Sequence, residues 1–227
     1  MLRLNKVMQD LYKKQAKRNM ITQQIRAWDV LNDDILDLMN SVPREIFIPK
    51  GYEHLAYADI NTPIGNGQVM LAPKVIGKIL AALVIIPTET VLEIGTGSGY
   101  LTSLLAKQSN HVYSIEIDPE KKRLAQINLK RLGIENISLM TGDAAKGWSP
   151  NAPYDVIITT GSFPKLPTTL QKQLNIGGRI FAIIGSEPNM QALLLTKLAE
   201  NSWEEKCLFE TSAPRLINVN ESIPFIF

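Results

Sequence analysis

Apolar residues near the start of the chain recur at helical spacing. Leu4, Val7, Met8, Leu11 and Tyr12 mark one amphipathic helix, and Ile35, Leu36, Leu38 and Met39 form a second apolar stripe after the acidic pair Asp33–Asp34. Pro43 and Pro49 close this stretch, which runs from Met1 to about Lys50. Residues 51–75 then hold Gly51, Pro63, Gly65, Gly67 and Pro73. So many breakers predict an ordered loop rather than a core element, and a loop of this length in a compact domain is usually functional.

From Val75 the period changes. Strand-like Thr90–Ile94, His111–Ile117, Ile137–Thr141, Tyr154–Thr159 and Gly178–Ile184 alternate with helix-like Tyr100–Gln108, Pro119–Leu132 and Leu166–Leu174. Pro119 suits the first turn of its helix. Strands separated by helices imply a parallel sheet covered on both faces. Trp203–Thr211 and Ser222–Phe227 are strand-like with no helix between them, so an antiparallel hairpin is expected to finish the sheet. There is no internal repeat or low-complexity tract.

Composition narrows the class. A chain of 227 residues, 45% hydrophobic, buries enough surface to fold as one domain without a disulfide or metal staple. The expected organisation is a helical and loop region over 1–74 on a core over 75–227. The single cysteine, Cys207, has no internal partner, and no Cys/His spacing suggests zinc, so no metal is expected and the cytosol is the default compartment. With 24 basic against 22 acidic side chains the net charge is +2, which argues against a nucleic acid as the main partner. The longest apolar run, Ile79–Ile86, is far short of the roughly 20 residues that span a bilayer, and the charged first turns do not resemble a secretory signal. A soluble protein with no membrane partner is the expectation.

The strongest local signal is Val91–Gly99, VLEIGTGSG, passing from a buried strand into a helix. Glycines at 95, 97 and 99 let the backbone approach a ligand, and the helix offers its first amides and positive dipole end. The position three after Gly97 is Tyr100, so the dinucleotide fingerprint fails, and the Gly-Lys-Ser/Thr of a P-loop is absent. G-x-G-x-G with Glu93 two residues before it instead resembles the first motif of S-adenosylmethionine-dependent methyltransferases. The second strand ends in Glu116-Ile117-Asp118, where an acid can accept from both ribose hydroxyls; Glu116 is favoured over Asp118. The third ends in Thr141-Gly142-Asp143-Ala144, placed to read an adenine edge. Each signal alone has an ordinary alternative as a turn or helix cap. Their order along successive strand ends selects a cofactor site.

Beyond these motifs the chain resembles the protein-L-isoaspartate O-methyltransferases from about Asn19 to Gly185. The resemblance is carried by Val42-Pro43-Arg44-Glu45-Ile46-Phe47, Ala56-Tyr57-Ala58-Asp59, Pro63-Ile64-Gly65-Asn66-Gly67-Gln68, the glycine loop, Gly147-Trp148, Ala152–Ile157 and Gln173–Arg179. It implies an α/β, Rossmann-like class I methyltransferase: a mostly parallel, doubly wound sheet with a C-terminal antiparallel hairpin and an N-terminal helical extension. It also implies S-adenosyl-L-methionine as cofactor and, as partners, proteins or peptides carrying isoaspartate; monomer or homodimer is left open. Such chemistry needs few catalytic side chains, because the acceptor carboxylate is already a nucleophile and the methyl is already activated.

The resemblance places cofactor contacts at Gln68, Val69, Glu93, Gly95, Thr96, Gly97, Gly99, Tyr100, Glu116, Ile117, Gly142, Asp143, Ala144 and Thr160, and puts Leu71 and Asp59 at the reacting end. One departure stands out. The family's loop reads Gly-Gln-Thr-Ile-Ser, with the Ser hydroxyl placed to hold the substrate carboxylate, whereas here Val69 and Leu71 replace the Thr and the Ser. Losing such a bond costs about 1.5–3 kcal/mol, one or two orders of magnitude in rate or affinity. The run Gly67–Pro73 together with Gln23–Leu31 resembles a branch of the family. Two alternatives therefore stand beside the repair activity: another carboxylate acceptor, or a cofactor-binding module that has lost turnover. Arg44 and Arg179 are candidates to attract a carboxylate or to occupy exposed ends, and Thr160-Gly161-Ser162 falls near the substrate end of the sheet. His54, His111, Trp148 and Trp203 read as structural or exposed.

Overall fold

The structure, a computed structural model, describes residues 2–219. The expected strand Ser222–Phe227 lies outside them. Helix α1 (Leu2–Asn19) continues through a π turn (Met20–Ile25) and a 3-10 turn (Arg26–Trp28) to Asp29, whose φ of 63° ends it. Met20, Ile25 and Val30 are fully buried, whereas Met8, Leu11 and Tyr12 on the expected apolar face are largely exposed. Helix α2 (Asp33–Ser41) starts where Asn32 Oδ1 accepts from the amides of Asp34 and Ile35 at 2.8 and 3.3 Å, satisfying two orphan donors. It buries Ile35, Leu36 and Met39, three residues of the predicted stripe.

The expected loop over 51–75 contains a hairpin, β1 (Thr62–Gly65) with β2 (Gln68–Met70). Asn66 and Gly67, at φ 54° and 70°, make its turn. Two consecutive left-handed residues match the twist of hairpin strands, and Asn-Gly adopts them at low cost. Helix α3 (Pro73–Leu83) opens on Pro73 and buries Val75, Ile76, Ile79, Leu80 and Leu83.

The main sheet comprises β3 (Thr90–Ile94), β4 (His111–Glu116), β5 (Ile137–Thr141), β6 (Tyr154–Phe163), β7 (Leu174–Ser186), β8 (Asn189–Ala199) and β9 (Ser202–Glu210). Helices α4 (Tyr100–Ala106), α5 (Pro119–Arg131) and α6 (Thr168–Lys172) connect them. The strand order is β5-β4-β3-β6-β7-β8-β9, parallel through β7 and antiparallel thereafter. Side chains alternate between faces as a pleat requires: Val91, Val156, Ile158 and Phe181 join the helices on one side, and Leu92, Ile157, Ile180 and Ala182 join Leu170 of α6 on the other. The chain leaves β3 in one direction for β4 and later returns to its other side with β6. Ligands bind outside the strand ends at such a switch point.

Two expectations change. An antiparallel hairpin does end the sheet among the described residues, and the expected strand Trp203–Thr211 is its β9, but the strand it pairs with is β8, Asn189–Ala199, which carries no strand pattern in the sequence. Ala192-Leu193-Leu194-Leu195 uses strong helix formers, and the strand meets both faces, Ala192 on one and Leu195 on the other, so no clean period of two is left to read. Helix α6 is also shorter than Leu166–Leu174, because the buried Leu174 already pairs with Tyr154 as the first residue of β7.

Candidate active site

The carboxyl ends of β3, β4, β5 and β6 meet at an open cleft of ≈ 890 Å³ including solvent space. Its floor is the glycine loop after β3. Gly95 has φ 95°, and a Cβ there would lie 2.3 Å from Thr160 Oγ1, so the loop passes the end of β6 only without a side chain. Thr160 fixes that approach by donating its one proton between the carbonyls of Gly95 at 2.7 Å and Ile94 at 3.1 Å. At the end of β5 a Cβ on Gly142 would lie 2.8 Å from Trp148 Cζ3, which explains the small residue before Asp143.

Among the described residues two acids line the cleft. Glu116, 5% exposed at the end of β4, accepts from the amides of Gly97 at 2.7 Å and Asp118 at 3.0 Å. It therefore shapes the glycine loop while keeping lone pairs for a ligand. Asp143 accepts from the Ala145 amide and from Asn218 Nδ2, both at 2.9 Å. Asp118 caps α5, accepting from the amides of Glu120 and Lys121, and takes Asn66 Nδ2 at 3.2 Å from the tip of the β1–β2 hairpin. Ser98 Oγ donates to Met70 Sδ at 3.1 Å, so the hairpin is tied at one point to the glycine loop and at another to the start of α5.

Residues 213–219 form a second wall. Ser162 holds them, accepting the Leu216 amide and donating its own amide to Pro214 O and its hydroxyl to Ala213 O. Pro214, Leu216 and Ile217 line the cleft.

Gln68, Val69, Leu71, Gly95, Thr96, Gly97, Glu116, Ile117, Gly142, Asp143, Ala144 and Thr160 all line this one cleft. Glu93, Gly99, Tyr100 and Asp59 do not. Gly99 begins α4 at φ 87°, where a Cβ would lie 3.2 Å from that of Ala125, so its smallness serves helix packing. Tyr100 is buried edge-on to Phe47, with rings 5.5 Å apart. Asp59 pairs with Lys74 at 2.7 Å, and Lys74 lies over the Trp28 ring. Glu93 is fully buried and accepts from the hydroxyls of Thr102 and Ser114; burial pushes its carboxyl up to about 7 against those two bonds, with Glu116 adding to the rise.

Neither candidate arginine lines the cleft. Arg44 is fully buried, donating Nε to Ala56 O at 3.1 Å and Nη2 to Leu71 O at 2.9 Å beneath the loop, with its guanidinium 4.7 Å from the Tyr100 ring centre. Burial lowers its pKa from the ordinary arginine value. Arg179 belongs to the far end of the sheet, pairing with Glu89 and donating to Leu83 O and Val84 O. Motif reading missed Ile64, Met70, Ser98, Lys121 and the 213–219 wall. Lys121 had a signal, one turn into the helix after the strand-end acid, whereas Pro214–Ile217 carries no motif.

The donor set suits S-adenosylmethionine. Glu116 offers a buried carboxylate for a ribose diol, Ile117 and Ala144 offer apolar contact for a base, and the glycine loop offers backbone at close range. Leu71, 3% exposed, brings an apolar side chain where a hydroxyl was expected from the family pattern.

Known proteins agree with this layout. The family model for protein-L-isoaspartate(D-aspartate) O-methyltransferase matches residues 14–212. The protein-L-isoaspartate O-methyltransferase of Ignicoccus hospitalis is 38% identical over 182 residues, 79% of this chain and 86% of the relative. That of Syntrophus aciditrophicus is 38% identical over 199 residues, 88% of this chain and 91% of the relative. A solved protein-L-isoaspartate O-methyltransferase superposes with a TM-score of 0.75 at 25% identity, covering 90% of this chain and 65% of that longer one. A Plasmodium falciparum structure in complex with S-adenosyl-L-homocysteine shares the fold, with a TM-score of 0.74 at 23% identity over 87% of this chain and 96% of its own.

Proposed function

The chain belongs to the protein-L-isoaspartate(D-aspartate) O-methyltransferase family, and we propose that it methylates the carboxylate of L-isoaspartyl residues in damaged proteins, using S-adenosylmethionine. The observation that carries this reading is the convergence of the glycine loop, Glu116 and Asp143 on one cleft that Ile64, Gln68, Val69 and Met70 of the β1–β2 hairpin also line, with Leu71, the position the family resemblance assigns to the substrate carboxylate, directly after it.

When bound, the cofactor supplies a methyl group activated on a sulfonium sulfur. The acceptor carboxylate is ionised at neutral pH and needs no base, so the protein's task is positioning and exclusion of water. Glu116 and Asp143 are the residues proposed to hold the nucleoside, with Gly95–Gly97 and Thr160 shaping the loop beside it. The hairpin and Pro214–Ile217 close the two sides. Arg44 holds the Leu71 carbonyl, which fixes the backbone facing the acceptor although the side chain cannot donate. Held by Glu116 and Asp143, the cofactor would give its methyl carbon to the acceptor oxygen, its sulfur keeping the electron pair of the bond given up. Away from the protein, the backbone nitrogen that follows the ester attacks its carbonyl and expels methanol to close a succinimide, and water opens that ring to give some normal aspartate.

Residues 1–74 are read as the substrate-facing layer and 75–227 as the cofactor core. A cytosolic location belongs to the same proposal; among the described residues no helix is long and apolar enough to cross a membrane. Leu71 favours one second reading, a different carboxylate acceptor whose surroundings are apolar. Incubation with aged protein and labelled cofactor tests the first reading: methyl groups released as methanol by mild alkali, and increasing with the age of the protein, are expected. Alkali-stable methylation contradicts carboxyl transfer altogether.

A further inference from the structure

Glu93 on β3 is fully buried and does not line the cleft, yet a chain of hydroxyls joins it to a residue that does. Thr102 Oγ1 and Ser114 Oγ donate to the same oxygen, Oε2, at 2.5 and 2.6 Å. Ser114 Oγ lies 2.6 Å from Thr96 Oγ1, and Thr96 lines the cleft. The other carboxyl oxygen, Oε1, is buried with no hydrogen-bond partner.

A hydroxyl has one proton to give. With Ser114's committed to the carboxylate, Thr96 must donate to Ser114, and Thr96 then presents only lone pairs elsewhere. A proton on Glu93 releases this order: Ser114 becomes free to donate to Thr96, and Thr96 to donate into the cleft. Of the elements packed on Glu93, α4 contributes the uncharged Thr102, β6 pairs with it through Ile158, and β4 contributes Ser114 and the acidic Glu116. Glu116 is thus the charged group that faces it among the described residues.

We propose that Glu93 is a proton-dependent positioning residue that acts through Ser114 and Thr96, and that its charge, with that of Glu116, favours the cationic methyl donor over its neutral product. This rests on the reading of the cleft as the S-adenosylmethionine site. The donor, with sulfonium, ammonium and carboxylate, carries a net positive charge, whereas the thioether product is a neutral zwitterion. A negative wall of low dielectric acts on that difference. Donor binding therefore favours the ionised Glu93 and expels its proton, and product binding does so far less. Burial holds the carboxyl near neutrality, at about 7, so the exchange falls within an accessible pH range.

The test is calorimetric titration of the whole protein at pH 6 with S-adenosylmethionine and with S-adenosylhomocysteine, each in two buffers of different ionisation enthalpy. With roughly nine tenths of Glu93 protonated at that pH, donor binding is expected to release close to one proton and product binding clearly fewer. The ratio of product Kd to donor Kd rises about tenfold between pH 6 and pH 8 on the same linkage. Glu93→Gln removes both effects, and Ser114→Ala, which keeps the charge but cuts the relay, weakens donor binding several-fold while proton release persists. Unchanged donor affinity in Ser114→Ala overturns the relay, and equal proton release for the two ligands overturns the charge coupling, even if Glu93→Gln does not fold. If neither ligand binds, the cofactor reading fails and the proposal with it; if both bind with the same proton count, only the proposal fails.

Discussion

Replacing Gly95 by alanine tests how tightly the cofactor loop is built. The residue sits at φ 95°, where an L side chain costs about 1–2 kcal/mol, and its new Cβ would lie 2.3 Å from Thr160 Oγ1. Thr160 then has to move, losing a hydrogen bond to the carbonyl of Gly95 or Ile94 worth about 0.5–1.5 kcal/mol. Together Gly95→Ala is expected to cost about 1.5–3.5 kcal/mol in stability. Thr160→Ala alone forfeits the hydrogen bond but removes the obstructing atom, so the double variant is expected to be more stable than the sum of the single effects by about 1 kcal/mol. Urea unfolding of the four proteins gives the cycle, and titration with S-adenosylmethionine shows whether affinity follows the loop. A Gly95→Ala variant as stable as the parent, or strictly additive effects, would refute the claim that Thr160 and Gly95 fix each other's backbone.

Other outcomes follow from the same geometry. Arg44→Met strips the Ala56 and Leu71 carbonyls of a charged donor beneath the acceptor loop; a loss of about 2–4 kcal/mol is expected in urea, and the folded fraction should show a raised KM for peptide with little change in cofactor Kd. Leu71→Ser places a hydroxyl where the family pattern has one: kcat/KM for isoaspartyl peptides should rise about tenfold, at some cost in stability because Leu71 is buried. No gain in rate would show that backbone alone serves this acceptor. For Glu93, the native state keeps its proton to about pH 7 while the unfolded chain loses it near 4.5, so between those values the native state binds more protons and stability falls as pH rises. The fall amounts to about 3 kcal/mol, and Glu93→Gln should abolish it when unfolding is compared at pH 5 and pH 8.

The parallel half of the fold was legible because its elements are short, strongly periodic and punctuated. β3, β4 and β5 fall within a residue of their predicted bounds, and Asp118-Pro119 marks the start of α5 as capping chemistry requires. β8 was not legible because a strand packed on both faces loses the alternation that distinguishes it from a helix. Within the site, Glu116 and Asp143 could be read from strand-end logic, since each follows directly from where a parallel strand stops. Glu93 belongs to the same motif but turns to the helix side of β3, where the pleat puts every second residue. The 213–219 wall depends on Ser162 and on chain that arrives from beyond two antiparallel strands, a long-range contact without local pattern. Arg44 reads in sequence as a charge for a carboxylate substrate or an exposed end. It is buried because the loop folds back over it and offers two carbonyls to its guanidinium.

The central claim is that this cleft transfers a methyl group to an isoaspartyl carboxylate. The most direct measurement is methyl transfer from labelled S-adenosylmethionine to two peptides that differ only in aspartate against isoaspartate at one position, followed as alkali-labile label against time. Saturable labelling of the isoaspartyl peptide with none above background for its aspartyl twin is the predicted result. Equal background labelling of both peptides, by a protein that binds the cofactor, would contradict the assigned acceptor.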